Sequence, residues 1–270
     1  MNQEIASLKL QKPHLVSVQP TSSISTVLDV LKKHNIISIP IHSHQKGEGS
    51  FMGIISVFDI CCYVLRTNHF DHHIESALSL NSDAESFILR EVAYLDTLAT
   101  VMKHLTQVHR LLVVDKKTQF LISQTDVVKY LYESVAKDEL TSKSVGEVLP
   151  IQKIISLSET ITAKQGLEEL KSSSHLALPI VNEKGEFVHV LSSADLRGIN
   201  QESFKTLDLN VIDYLKSIKK QKPATATLNT TIKQVMKCSV ENQAHRTFVL
   251  EHGKVVNVVS LSDLIKLYLQ

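Results

Sequence analysis

Four aspartates, Asp59, Asp126, Asp195 and Asp263, recur at intervals of 67, 69 and 68 residues, each with a serine three positions ahead of it. A carboxylate is an acceptor-only group with two oxygens, and Ser-x-x-Asp at the join of an apolar run and a helical pattern is also a helix cap. Two His-Arg pairs, His109-Arg110 and His245-Arg246, precede the second and fourth aspartates by 16 and 17 residues, counted from the arginine. A guanidinium presents a fixed fork of donors, and an imidazole adds one that strengthens when protonated, which suits phosphate oxygens. The plain alternative is an edge residue with a solvated head. Recurrence of the pair in the same register favours the functional reading. His175 stands in a neighbouring register between them.

The elements that hold these residues repeat as well. The stretches ISVFDICCYVL, ISQTDVVKYLY, LSSADLRGI and NVVSLSDLIKLYLQ each run from an apolar strand through Ser-x-x-Asp into a helical pattern. An amphipathic helix comes earlier in every unit, on Ile24, Val27, Leu28 and Leu31, on Leu98, Val101, Met102 and Leu105, on Ile161, Leu167 and Leu170, and on Ile232, Val235 and Met236. Start signals lie at Pro20-Thr21-Ser22, Asp96-Thr97, Ser158-Glu159-Thr160 and Asn229-Thr230. Two strands joined by a turn follow each helix, with turn chemistry at Asn182 to Gly185 and Glu251 to Gly253. The unit is strand, helix, strand, strand, helix. Segments rich in Ser, Thr, Lys and Glu near 67–86, 134–146 and 200–222 read as linkers, and HSHQKGEGS, with His42 and His44, reads as a solvated hairpin loop.

Composition narrows the function. With 43% apolar and 21% charged residues the chain can bury substantial cores, and a net charge near +1 gives no electrostatic case for nucleic acid. FMGIISVFDICCYVL is interrupted by Asp59 and patterned as strand then helix, so no membrane span is expected. The start, MNQEIASLKLQ, lacks a signal-peptide pattern, and three cysteines give no disulfide framework, which fits a reducing compartment. The expected location is therefore cytoplasmic, with the nucleus also open to it. His69, His72 and His73 fall in a polar linker without further ligands spaced to close a metal site. No Gly-rich phosphate loop and no nucleophile with its base can be assembled, so no enzyme and no resident cofactor are expected.

The order β-α-β-β-α with Ser-x-x-Asp at the last corner resembles the cystathionine-β-synthase (CBS) domain. Four copies in 270 residues are similar to the γ subunits of AMP-activated protein kinase, in words such as VHRLLVVD, LALPIVNEKGEFVHVLS and HRTFVLEHGKVVNVVSLSDL. The resemblance implies an α+β or α/β fold of four CBS repeats. These would be arranged as two pseudo-two-fold Bateman modules forming a disc. The first module would span 1–137, with repeats at about 12–66 and 87–135, and the second 138–270, with repeats at about 144–200 and 218–270.

The resemblance further implies that Asp59, Asp126, Asp195 and Asp263 hold a ribose through its two hydroxyls. Ser260 and Ser262 would line a site, and His109, Arg110, His245, Arg246 and His175 would meet phosphate. The implied ligands are AMP, ADP or ATP. The implied partners are a kinase catalytic subunit and a β-like bridging subunit, the chain itself being a non-catalytic regulator. A CBS scaffold regulating a phosphatase or a transporter with little nucleotide dependence is the alternative. Two departures from the γ pattern stand out: Ile37 at the place of a phosphate-binding arginine in repeat one, and Asp126 where animal γ subunits carry a basic residue.

Overall fold

The computed structural model describes residues 3–8, 10, 12, 14–43, 50–79, 89–115, 119–135 and 139–269. The hairpin loop read around His44 and the linker residues 80–86 and 136–138 lie outside them.

Repeat one contains α1 (Ile24–Lys33), β1 (Ser38–His42), β2 (Phe51–Ser56) and α2 (Val57–Thr67), followed by α3 (Ile74–Ser79). Repeat two contains β3 (Glu91–Ala93), α4 (Leu98–Leu105), β4 (Arg110–Val114), β5 (Gln119–Ser123) and α5 (Gln124–Val135), and α6 (Glu139–Ser142) and α7 (Val145–Val148) come next. Repeat three has β6 (Leu157–Ser158), α8 (Ala163–Ser172), β7 (Ala177–Val181), β8 (Phe187–Ser192) and a single 3-10 turn at Ser193–Leu196. After a second 3-10 turn at Phe204–Asp208 and α9 (Val211–Ser217), repeat four has β9 (Thr225–Ala226), α10 (Ile232–Glu241), β10 (Arg246–Glu251), β11 (Lys254–Ser260) and α11 (Leu261–Leu267). In repeats two to four the first strand pairs parallel with the second, and the second antiparallel with the third. In repeat one a lone parallel bridge between Val18 and Ile41 stands in for the first strand.

The first helices start where a hydroxyl can take a free N–H of the first turn. The caps are Ser23, Thr97, Thr162 and Thr231, so three of the four lie one or two residues past the expected start signals. Their apolar faces are the expected ones: Val27, Leu28 and Leu31, for example, are at most 2% exposed. One expectation fails. The helix read after Asp195 is only a 3-10 turn, because Arg197 leaves helical geometry with ψ 124° and Gly198 takes φ +82°, a conformation open to glycine.

The segments read as polar linkers are also corrected, since they carry short helices docked by reciprocal backbone bonds. Ile74 N–H reaches the Ser22 carbonyl at 2.9 Å, and Ile24 N–H the His72 carbonyl at 3.0 Å, which ties α3 to repeat one. Ile5 and Asp96, with Leu98 and Gln3, tie the start of the chain to repeat two by the same pair of bonds. Val145 and Thr230, with Ile232 and Lys143, tie α7 to repeat four, and Val211 with Ile161 ties α9 to repeat three. Each leading segment thus sits on its neighbour's repeat, an exchange hidden by short apolar sets such as Val211, Tyr214 and Leu215.

Two large cores result. One gathers repeats one and three, including Leu28, Ile55, Val64, Leu167, Leu191 and Tyr214; the other gathers repeats two and four, including Val101, Ile122, Leu131, Val235 and Leu264. The sheets of repeats three and four meet through Ala177, Val190 and Phe248, with the Phe187 and Phe248 rings stacked at 5.8 Å. Among the described residues no helix is long and apolar enough to cross a membrane.

Candidate nucleotide-binding cavity

At all four corners the aspartate completes a cap on the serine three residues earlier. Asp59 Oδ2 accepts from Ser56 N at 3.1 Å and Ser56 Oγ at 2.5 Å, and Asp126 Oδ2 from Ser123 N at 2.8 Å and Oγ at 2.7 Å. Asp195 Oδ2 accepts from Ser192 N at 2.7 Å and Oγ at 2.9 Å, and Asp263 Oδ2 from Ser260 N at 2.9 Å and Oγ at 2.6 Å. One oxygen of each carboxylate therefore serves the cap. The cap fixes the side chain's rotamer.

The hairpins bring a cation to this corner in two repeats. Antiparallel register sets Arg110 opposite Ser123 and Arg246 opposite Ser260. In repeats one and three the same register puts Ser38 opposite Ser56 and Ala177 opposite Ser192. The residue of repeat one that stands at the arginine's place is thus Ser38; Ile37 lies one position earlier, in register with His109 and His245. The loop insertion between β1 and β2 hides this from a count along the chain.

The corners of all four repeats open on one cavity of about 570 Å³. Its lining includes Ser56 and Asp59 from repeat one, His109, Arg110 and Gln124 from repeat two, His175 and Ser193 from repeat three, and His245, Arg246, Ser260 and Ser262 from repeat four. Of the candidate residues, Asp126, Asp195 and Asp263 do not line it. Asp126 instead accepts Lys12 Nζ at 2.7 Å, and Asp195 accepts Lys220 Nζ. Asp263 acts on Arg246, favouring its charged form. Ser262 Oγ accepts from Gln124 Nε2 at 2.7 Å, a bond between repeats two and four. The His175 ring places Nδ1 2.6 Å from the Ser173 carbonyl, which fixes Nδ1 as the protonated nitrogen in the neutral ring.

The cavity is strongly cationic in a chain of nearly zero net charge. Burial, then Arg246, Arg110 and His245, push the His109 imidazole down to about 4. Burial, then Arg110, Arg246 and Arg197, do the same to His245, also to about 4. Arg110 is pushed down to about 10 by burial and by Arg197, with Asp126 opposing. Such crowding is unfavourable until an anion enters, and a phosphate would bond to guanidinium and imidazole donors that already face it.

Sequence reasoning missed several of these groups. Arg197, two residues past Asp195, donates to the carbonyl of Asn35, three residues before Ser38, and so carries a cation from repeat three to repeat one. Lys12 lies ahead of the Val18 bridge of repeat one and Lys220 ahead of β9; Gln-Lys-Pro recurs at 11–13 and 221–223, which marks the segment but puts Lys222, not Lys220, in register with Lys12. The metal reading of the histidine linker gains Asp71: His69, Asp71 and His72 bring ligand atoms within 4.8 Å of one another, with His69 and Asp71 exposed.

Comparison with known proteins agrees with this architecture. The family model for the CBS domain matches residues 7–66, 145–201 and 215–270. Repeat two, outside those matches, shows the same strand, helix, strand, strand, helix order. Protein MJ1225 from Methanocaldococcus jannaschii, whose crystal structure is described in terms of an archaeal homologue of γ-AMPK, aligns over 98% of this chain and 99% of its own, with a TM-score of 0.77 and 17% identity. An uncharacterized conserved protein from Pyrococcus horikoshii aligns over 99% of this chain and 100% of its own, with a TM-score of 0.60 and 19% identity. With the model matching most of its length and four repeats in its fold, the chain belongs to the CBS-domain family.

Proposed function

We propose that the chain is a non-catalytic regulatory subunit that binds adenine nucleotides in its central cavity and reports their level to a protein kinase of the AMP-activated type. The observation that carries this reading is the convergence of His109, Arg110, His245 and Arg246 on one cavity beside the Ser-Asp corners. A volume of about 570 Å³ lies within the range of small-molecule sites, roughly 300 to 1,000 Å³. The cations would hold phosphate, and carboxylates of the Ser-Asp corners, of which Asp59 stands on the cavity wall, would take the ribose hydroxyls. The likeness in fold to a chain described as a γ-AMPK homologue directs the search for a partner to a kinase and a bridging subunit. Regulation requires a nucleotide whose affinity differs between two states of that complex.

The test is a thermal-shift series on the full chain with AMP, ADP, ATP and adenosine. A ligand that binds only the folded state, at 100 times its Kd, adds about 2.7 kcal/mol and raises Tm clearly. The expected result is a rise with phosphorylated nucleotides that exceeds the rise with adenosine and shrinks in Asp263→Asn. No shift with any of the four would discard the nucleotide reading and leave a scaffold.

A further inference from the structure

Away from the cavity, the loop between α2 and α3 gathers three metal-ligating side chains. His69, Asp71 and His72 each bring a ligand atom within 4.8 Å of the other two. The two imidazole rings stack, with centroids 4.1 Å apart, and His69 Nδ1 stands 3.3 Å from Asp71 Oδ1. Backbone bonds hold the loop in place: the His72 carbonyl accepts Ile24 N–H at 3.0 Å and the Phe70 carbonyl accepts Ser25 N–H at 2.9 Å, both at the first turn of α1. The Phe70 ring meets Phe204 edge to face at 5.1 Å, which ties the loop to the 3-10 turn after repeat three. The chain that carries the ligands is thus ordered by contacts an ion does not have to supply, which lowers the entropic cost of binding one.

His72 is oriented from behind. Its Nδ1 lies 2.6 Å from the hydroxyl of Tyr63, a residue only 4% exposed. In the tautomer whose Nδ1–H donates to that hydroxyl oxygen, Nε2 keeps its lone pair for an ion, and a ligating histidine held through its other ring nitrogen is the usual arrangement. His69 and Asp71 are exposed, so their side chains can turn to meet it. Tetrahedral bonds of about 2.0–2.1 Å to nitrogen and oxygen set ligand atoms about 3.3 Å apart, so no ligand atom has to close by more than about 1.5 Å. Two imidazoles with one carboxylate suit a borderline ion such as zinc(II) and lack the set of oxygens that magnesium or calcium requires.

We propose that His69, Asp71 and His72 form a site for a divalent transition-metal ion of the zinc class, water completing the tetrahedron, and that the ion clips the loop between α2 and α3 onto repeat one. None of the three residues lines the central cavity, so the site stands apart from the nucleotide reading and is tested without a nucleotide.

The experiment is calorimetry and a thermal-shift series on the untagged full chain with zinc chloride, and with magnesium chloride as the control. The parent is expected to bind zinc at this site with a rise in Tm and to show no response to magnesium. His69→Asn, Asp71→Asn and His72→Asn are each expected to lose about tenfold or more in zinc affinity. His73→Asn, whose ring pairs with Glu75 at 3.6 Å, should stay within about twofold of the parent. The cobalt(II)-loaded chain should show ligand-field bands of nitrogen and oxygen coordination and no thiolate charge-transfer band. Absence of zinc binding by the parent overturns the proposal, as does unchanged affinity in His69→Asn and Asp71→Asn or an equal loss in His73→Asn. A thiolate band overturns it too and moves the ion to Cys62 or Cys238, the two free cysteines that are not fully buried. Where His72→Asn prevents folding, the variants of the exposed His69 and Asp71 decide alone.

Discussion

Gln124 Nε2 of repeat two donates at 2.7 Å to Ser262 Oγ of repeat four and at 2.8 Å to the Leu105 carbonyl of its own repeat. The side chain is 8% exposed and joins the two repeats at the cavity wall. Gln124→Ala leaves a buried carbonyl and a hydroxyl without this donor, and the expected loss is about 1–3 kcal/mol of unfolding free energy in a urea titration. A loss below about 0.5 kcal/mol would show that the bond does not hold the repeats together.

Arg246 faces the Ser260 corner through the hairpin register and is half-buried in the cavity wall. Removing a charge-assisted phosphate partner costs about 1.5–3 kcal/mol, or about 10- to 100-fold in affinity. Arg246→Ala is expected to weaken AMP and ATP by that factor and to leave adenosine nearly unchanged, as read by calorimetry. Equal losses for all three would assign Arg246 a structural part.

His109 and His245 are held down at about 4 by burial and neighbouring cations, against about 6.5 in an unfolded chain. Across that window the unfolded state binds more protons, so stability falls as pH is lowered from about 6.5 toward 4. The melting temperature of the ligand-free chain should drop over this range. The double variant His109→Asn with His245→Asn should show a shallower drop, and an identical profile would remove the two imidazoles from the acid response.

Arg197 spans from repeat three to the Asn35 carbonyl and lowers the proton affinity of both Arg110 and His245. Its guanidinium is exposed, so its share in holding a ligand should be smaller than that of Arg246. Arg197→Ala is expected to cost a few-fold in affinity, more for ATP than for AMP. In a denaturant titration it should leave stability unchanged or slightly raised, since a repulsion is relieved. A loss of stability would point to the Asn35 contact as the residue's main part.

Much of the site was legible in advance because its parts repeat. The Ser-x-x-Asp corners form the caps their spacing requires, and His109, Arg110, His175, His245, Arg246, Ser260 and Ser262 all line the cavity. Less legible were elements whose sequence is too short to show a period. α3, α7 and α9 bury three, one and three apolar residues, and the turn after Asp195 stops at Gly198. The repeat-one register was displaced by an insertion, which moved the arginine's place from Ile37 to Ser38.

By itself the sequence determined four copies of one unit, most of their strands and helices, and the residue types at the corners, because caps and apolar periods are local and act over three to eight neighbours. Only the tertiary structure decided that the four corners differ. Lys12 meets Asp126 across 114 positions, Lys220 meets Asp195 across 25, and Gln124 meets Ser262 across 138. Such contacts follow from how the repeats exchange their leading segments and pack their cores, and no local period encodes them.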